Sequence, residues 1–423
     1  MASVNQITAT KDTFHHYLLF WLGQLGSLLG SSIVEFALIY WITIESQSAT
    51  ILSITAFLSI LPRIFVTFFA GVWIDRLDRK KIIVFTDFCQ ALATLILFFL
   101  FVFNLQSVWV VLGIIIIRSV FQSIHRPTVA AIIPVMIPKE KLSRMNSINM
   151  IASSAIFTIG PIVSGILIGF MDIKFILWID VGSFLIAVIP TLLITIPSIL
   201  GSSKLKDEET SFIHEMKEGY HIIMQIRGMF AFFMMAIIGN FLLSPSGVLR
   251  PYFISIYHGG DAKILSYLSA VSQIAMICGA IFIAIKKNWK HKSIIMIVAQ
   301  FLVGTGYLIT GLASKSNFVI IGVGLFILAF GIPILNSLYM TILQEKVPLD
   351  KQGRVNAMDM ALSFSIMPIS SLIAGPLAEL IGINILFIIL AGSYMVITLL
   401  FAFFSDYRQV DKGELLSDYK EQG

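Results

Sequence analysis

Apolar residues run through this chain in long blocks and not in alternation. Twelve stretches are apolar for about 20 residues or more: 17–43, 49–74, 82–103, 107–133, 146–170, 174–198, 228–256, 263–286, 291–313, 317–343, 355–382 and 384–405. A helix rises about 1.5 Å per residue and the hydrocarbon of a bilayer is about 30 Å thick, so each block predicts one membrane-spanning helix. The expected fold class is an all-α membrane protein with twelve transmembrane helices in two six-helix, pseudo-symmetric halves.

One long polar stretch, Gly201 to Arg227, interrupts the blocks between spans six and seven. It sets an N-terminal half at 1–200, a connector at 201–227, a C-terminal half at 228–407 and a tail at 408–423. In the connector, Phe212, Ile213, Met216, Tyr220 and Ile223 fall at helical spacing. That pattern predicts either an amphipathic helix on the membrane surface or a solvated link.

The halves echo each other. Pro138, Arg144 and Asn146 follow span four, and Pro348, Arg354 and Asn356 follow span ten, all at an offset of 210. Gly160-Pro161 in span five returns as Gly375-Pro376 in span eleven, at an offset of 215. Two matches at nearly one offset argue for duplication, and parallel six-span repeats are a transporter architecture.

Charge orients the spans. Arg76, Arg79, Lys80 and Lys81 follow span two; Lys139, Lys141 and Arg144 follow span four; Lys204, Lys206 and Lys217 follow span six. Lys286, Lys287, Lys290 and Lys292 follow span eight, and Lys346, Lys351 and Arg354 follow span ten, whereas the odd connections hold little beyond Lys174, Lys263 and Lys315. Positive loops stay inside, so a multi-pass protein of the cell (inner) membrane with both termini cytoplasmic is expected. The net charge of +5 then reflects topology, and no nucleic-acid partner is expected.

Other chemistry is scarce. Cys89 and Cys278 both lie in apolar blocks, which leaves no disulfide framework and no thiolate metal site. No Gly-x-x-x-x-Gly-Lys-Ser/Thr loop is present to cradle ATP, and no metal-ligand spacing or nucleophile triad supports an enzyme. No cofactor is expected. The polar first fourteen residues lead into a span too long for a signal-peptide core, so no cleaved leader is expected either.

Between spans two and three stand Gly71, Asp75, Arg76, Asp78, Arg79, Lys80 and Lys81, as Gly, three residues, Asp-Arg, then a basic cluster. This resembles the loop motif of the major facilitator superfamily. The resemblance implies secondary active transport by alternating access, with Asp75 latching one side near Gly353 and Arg354, and Arg144 as the first-half counterpart of Arg354. Helix N-termini attract carboxylates, which suits such a latch.

Leu61-Pro62, Asp75 to Lys81, Ile117-Arg118-Ser119, His125 to Pro127, Phe212 to Gly219, and Gln344-Glu345-Lys346 through Gly353-Arg354-Val355 resemble the Mef-type macrolide-efflux branch. That likeness implies proton-coupled efflux, as antiport, of a macrolide-like drug or other amphipathic small molecule without ATP. Export of an endogenous metabolite such as a siderophore, or uptake, are alternatives within the same fold. Gly160, Pro161 and Gly165 resemble an antiporter motif, or serve helix packing alone.

Ionisable groups inside a bilayer cost about 2.5–3.5 kcal/mol on insertion scales, so each calls for a role. At about 100° per residue, Gln24, Ser27, Ser31 and Glu35 share one face of span one, and Arg118, Gln122 and His125 share one face of span four. Glu35 is the expected proton-coupling carboxylate with Arg118 as its switchable partner, the alternative being a fixed structural pair. His125 either joins the coupling or only hydrogen-bonds. An apolar substrate needs an apolar wall with a few polar anchors, for which Gln24, Ser31, Phe36, Tyr40, Gln122, Asn240, Gln273, Asn336 and Tyr339 are candidates. Asp180 in span six and Arg250 in span seven are left without a role.

Overall fold

The computed structural model describes residues 11–195, 212–286, 289–349 and 351–411. Each of the twelve predicted blocks is helical over most of its described residues. In chain order the helices are α1 (Lys11–Ser46), α2 (Ala49–Arg76), α3 (Arg79–Val102), α4 (Val108–Met136), α5 (Lys139–Ile168) and α6 (Ile173–Leu193). The connector holds α7 (Phe212–Gln225). Then follow α8 (Met229–Val248), α9 (Ala262–Ile285), α10 (Lys292–Leu312), α11 (Phe318–Lys346), α12 (Gln352–Ile381) and α13 (Ile383–Phe404).

Among the described residues ten helices are long and apolar enough to cross a membrane, and α2 and α12 contain the shorter apolar stretches Ala49–Pro62 and Ser365–Ile381. Arg354 and Asp359 lie in the first part of α12, which confines its apolar stretch to the second part. The connector carries a helix, α7, on which Ile222 and Ile223 are buried, whereas Tyr220, expected on the apolar face with Ile223, is exposed.

The first N–H groups of a helix have no acceptor within it. Side chains supply the acceptors: Asp78 for α3, Ser107 for α4, Asp261 for α9 and Asn317 for α11. Pro251 follows α8, and the chain goes on as a π-helical turn, Tyr252–Tyr257, with Arg250 at the join.

The chain forms two compact units, one of residues 1–47 and 58–206, the other of 48–57 and 207–423. The start of α2 therefore belongs with the second unit, where Ser48 and Thr50 donate hydrogen bonds to Glu379 at 2.6 Å and 2.7 Å.

In the first unit α1 packs on α6, α5 and α4, and α3 packs on α4 and α6. Small residues let these helices approach: a Cβ on Gly30 would run into Ser183 of α6, and one on Gly160 would run into Ser32 of α1.

In the second unit α11 packs on α9 and α10, and α12 on α8 and α7. A short 3₁₀ turn after α13, Asp406–Gln409, closes one end. Its Tyr407 is buried, and Asp411 just beyond caps α10 by accepting from the Ser293 N–H at 3.0 Å and the Ser293 hydroxyl at 2.7 Å.

Candidate functional site

Helices α1, α3, α4, α5 and α6 enclose a cavity of about 320 Å³ in the first unit. Phe20, Trp21, Phe157 and Phe184 give it apolar wall; Gln24, Ser31, Gln122, His125, Asn149, Asp87 and Asp180 give it polar groups. Two of these are buried carboxylates, each about 5% exposed. A charge so far from water persists only where ion pairing and hydrogen bonds offset its desolvation.

Asp180 on α6 has such support. Its Oδ2 lies 2.7 Å from Arg118 Nη1 on α4 and accepts the Thr94 hydroxyl of α3 at 2.6 Å, while Oδ1 accepts the Ser31 hydroxyl of α1 at 2.7 Å. Arg118 Nη1 also donates to Thr94 Oγ1. One carboxylate thus holds four helices, with Arg118 behind it and Asp180 facing the cavity.

Asp87 on α3 is the second. His125 Nε2 lies 3.0 Å from its Oδ1, off the line of a straight hydrogen bond, and Gln24 Nε2 donates to its Oδ2 at 3.3 Å. His125 is 8% exposed, so this pair, like the first, is shut away from water.

Arg118 therefore pairs with Asp180 and not with Glu35. Glu35 is exposed on α1 and, among the described residues, has no hydrogen-bond or ion-pair partner. The reason lies in the packing: α4 lies chiefly against α3, and α3 against α6, so Arg118 reaches α6 past Thr94. Asp180, to which the sequence assigned no role, has three side-chain partners.

Of the expected cavity residues, Gln24, Ser31, Gln122 and His125 line this space. Phe36 and Tyr40 do not line it, and Asn240, Gln273, Asn336 and Tyr339 belong to the second unit. Asp87 went unnoticed in the sequence, although a lone carboxylate in an apolar block is the same signal that singled out Glu35.

A model of the Major Facilitator Superfamily matches residues 20–369. The chain belongs to the Major Facilitator Superfamily. It is a multi-pass membrane transporter and not an enzyme.

Macrolide efflux protein A of Streptococcus pyogenes is 27% identical to this major facilitator over 391 residues, covering 92% of this chain and 96% of the relative. The multidrug efflux pump Tap of Mycolicibacterium fortuitum is 20% identical over 414 residues, covering 96% and 99%. The fold is similar to that of the nucleoside transporter NupG, with a TM-score of 0.68, 15% identity and coverage of 92% and 98%.

The superfamily's loop motif is only partly within view. Asp78 caps α3 by accepting from the Lys80 N–H at 2.8 Å, Arg79 Nη1 donates to the Ala131 carbonyl at 2.8 Å, and Lys80 Nζ donates to the Leu192 and Ile194 carbonyls at 2.7 Å. The basic cluster thus ties the start of α3 to the ends of α4 and α6, where cations complement the helix dipoles. The side chains of Asp75 and Arg76, and Gly71, lie outside those described. Arg144 is exposed, and Arg354 pairs with Glu218 of α7 at 2.8 Å. A Cβ on Gly353 would meet open space, so packing does not require glycine there.

In the glycine-proline motif Gly160 and Gly165 are buried and Pro161 lies inside α5. Its second-half counterpart, Gly375, sits against the Ala49 carbonyl and Ser53 in the same close manner.

Proposed function

We propose that this transporter exports a small amphipathic molecule, macrolide-like in character, in exchange for protons, by alternating access in the cell (inner) membrane with both termini cytoplasmic. The observation that carries the reading is the Asp180–Arg118 pair at the wall of a cavity built from aromatic rings and a few amides. The efflux relatives support the same reading.

A proton on Asp180 cancels the charge that holds Arg118, so the four-helix tie weakens; loss of the proton restores it. Asp87 and His125 respond to the same proton supply across the cavity. The aromatic wall takes the apolar body of the substrate while Gln24, Gln122 and Asn149 orient its polar groups. In this reading the gradient drives transport without ATP, Asp75 with Gly71 and Arg76 forms part of the gate, and Phe36, Tyr40, Asn240, Gln273 and Asn336 serve the substrate path beyond the first-unit cavity.

The test is pH-gradient-driven flux of a fluorescent amphipathic drug in proteoliposomes, for the unaltered protein, Asp180→Asn and Glu35→Gln. The reading expects gradient-dependent flux that Asp180→Asn abolishes. Full gradient dependence in Asp180→Asn would remove Asp180 from the coupling path, and its loss in Glu35→Gln alone would hand that role to Glu35.

A further inference from the structure

Among the described side chains a third carboxylate is buried within the helices, Asp359 on α12, 7% exposed. Asp180 has Arg118 and Asp87 has His125, but among the described residues Asp359 has no cation. Its Oδ1 accepts two hydroxyls, from Tyr339 of α11 at 2.6 Å and Ser363 at 3.2 Å. Tyr339 is itself fixed by stacking on Phe232, with ring centroids 4.7 Å apart and planes 9° from parallel.

Among the described side chains the neighbouring helices bring no compensating charge; those of His214, Glu215 and Lys217 on α7 lie outside them. α8 holds no titratable side chain, and Tyr394 is the only one on α13. On α7, Glu218 is engaged with Arg354, and Tyr220 and His221 are exposed. Tyr407 lies beyond the Phe232 ring, 6.0 Å from it. An anion held by two neutral hydroxyls at this depth is unfavourable; the neutral acid in the same bonds is not.

The internal repeat sharpens the point. At the offset of 210 that relates Arg144 to Arg354, the position matching Asp359 is Asn149. Asn149 accepts the Trp21 Nε1–H at 3.0 Å, just as Asp359 accepts the Tyr339 hydroxyl. One half thus places a neutral amide, bonded to an aromatic donor, where the other half places a carboxyl group. The donors come from different spans, Trp21 from α1 and Tyr339 from α11, but the matching position takes a near-isosteric side chain that cannot ionise.

We propose that Asp359 is a second proton-carrying site, holding its proton within the second unit and separately from the cavity of the first. Its protonation can be tested alone; its use in transport rests on the proton-coupled reading above. Tyr339 is its positioning residue.

The experiment is infrared titration of the purified full chain in lipid, following the carbonyl stretch of protonated carboxyl groups. The unaltered protein should show a band near neutral pH that Asp359→Asn removes and Asp180→Asn keeps. Tyr339→Phe should move that band to higher frequency, because the carbonyl oxygen loses a hydrogen bond. Asp359→Asn should melt no lower than the unaltered protein, since Asn149 shows that an amide fits the matching position.

An identical spectrum in Asp359→Asn would mean that Asp359 is ionised throughout and would overturn the proposal. So would a marked fall in melting temperature, which would reveal a hidden cation left alone. In parallel, the number of protons moved per substrate should fall in Asp359→Asn; an unchanged number would overturn a transport role. If the unaltered protein showed no pH-driven flux at all, the coupling reading would fail while the infrared band still decided Asp359.

Discussion

Asp180 Oδ2 lies 2.7 Å from Arg118 Nη1, and the same carboxylate also accepts the hydroxyls of Ser31 and Thr94. A single buried group therefore joins α6 to α1, α3 and α4, and a change in its charge is felt by all four.

Removing one member of a buried pair leaves the other uncompensated, at about 3–5 kcal/mol. Asp180→Ala should therefore lower the melting temperature strongly. The double change Asp180→Asn with Arg118→Gln should restore most of the stability without restoring transport. Melting curves in detergent check this; additive losses in the double variant would show that the two residues do not act as a pair.

A methyl group on residue 160 would lie 2.7 Å from the Ser32 Cβ. Gly160→Ala is expected to cost about 1–3 kcal/mol by forcing α5 from α1. Ser32→Gly removes the obstacle, so the double variant should recover much of that loss. No recovery would point to a backbone requirement at Gly160 in place of helix approach.

Asp411 caps α10 through Ser293, 118 positions earlier in the chain. Asp411→Ala should destabilise the second unit by about 0.5–2 kcal/mol, the usual scale for a lost cap. Asp411→Asn, which keeps an acceptor oxygen, should cost less. Hydrogen exchange at the first turn of α10 reads this directly.

His258 Nδ1 accepts the Ser316 N–H at 3.1 Å, and the Ser316 hydroxyl donates to the His258 carbonyl at 2.8 Å. Ser316 is held at a φ of 62°, a left-handed conformation unusual for a residue with a side chain. Burial first, then the nearby Lys315 charge, hold the imidazole below its ordinary pKa. The unfolded chain then binds the proton more readily, so this stability is complete above about pH 6.5 and is lost as pH falls through the lowered value. His258→Asn keeps an acceptor but does not titrate, so its melting temperature should fall less than that of the unaltered protein between pH 7.5 and 5, values of about that size bracketing the ordinary histidine range. Equal falls would remove His258 as the cause.

The helices were legible because long apolar blocks have one solution in a membrane. The repeat was legible because Pro138, Arg144 and Asn146 and their partners kept one spacing. The spacing of Phe212, Ile213, Met216, Tyr220 and Ile223 announced a helix in the connector, but it set Tyr220 on the apolar face and Tyr220 is exposed.

The site was only half legible. Helical phase placed Gln24, Ser31, Gln122 and His125 around one cavity, because phase is a local property. The partner of Arg118 depends on which helices adjoin, and no periodicity within α1 or α4 reports that α3 and α6 lie between Arg118 and the rest. Asp87 and Asp359 stand as lone acids in apolar blocks, and both went unnoticed in the sequence. Their contrast, one beside a histidine and the other beside a phenol, exists only in the folded chain.

The most direct measurement of proton-coupled export is proton release from the purified protein in lightly buffered detergent on addition of an amphipathic substrate. The account predicts that substrate displaces protons from the unaltered protein and that Asp180→Asn releases fewer. Substrate binding of normal strength with no proton release would contradict it.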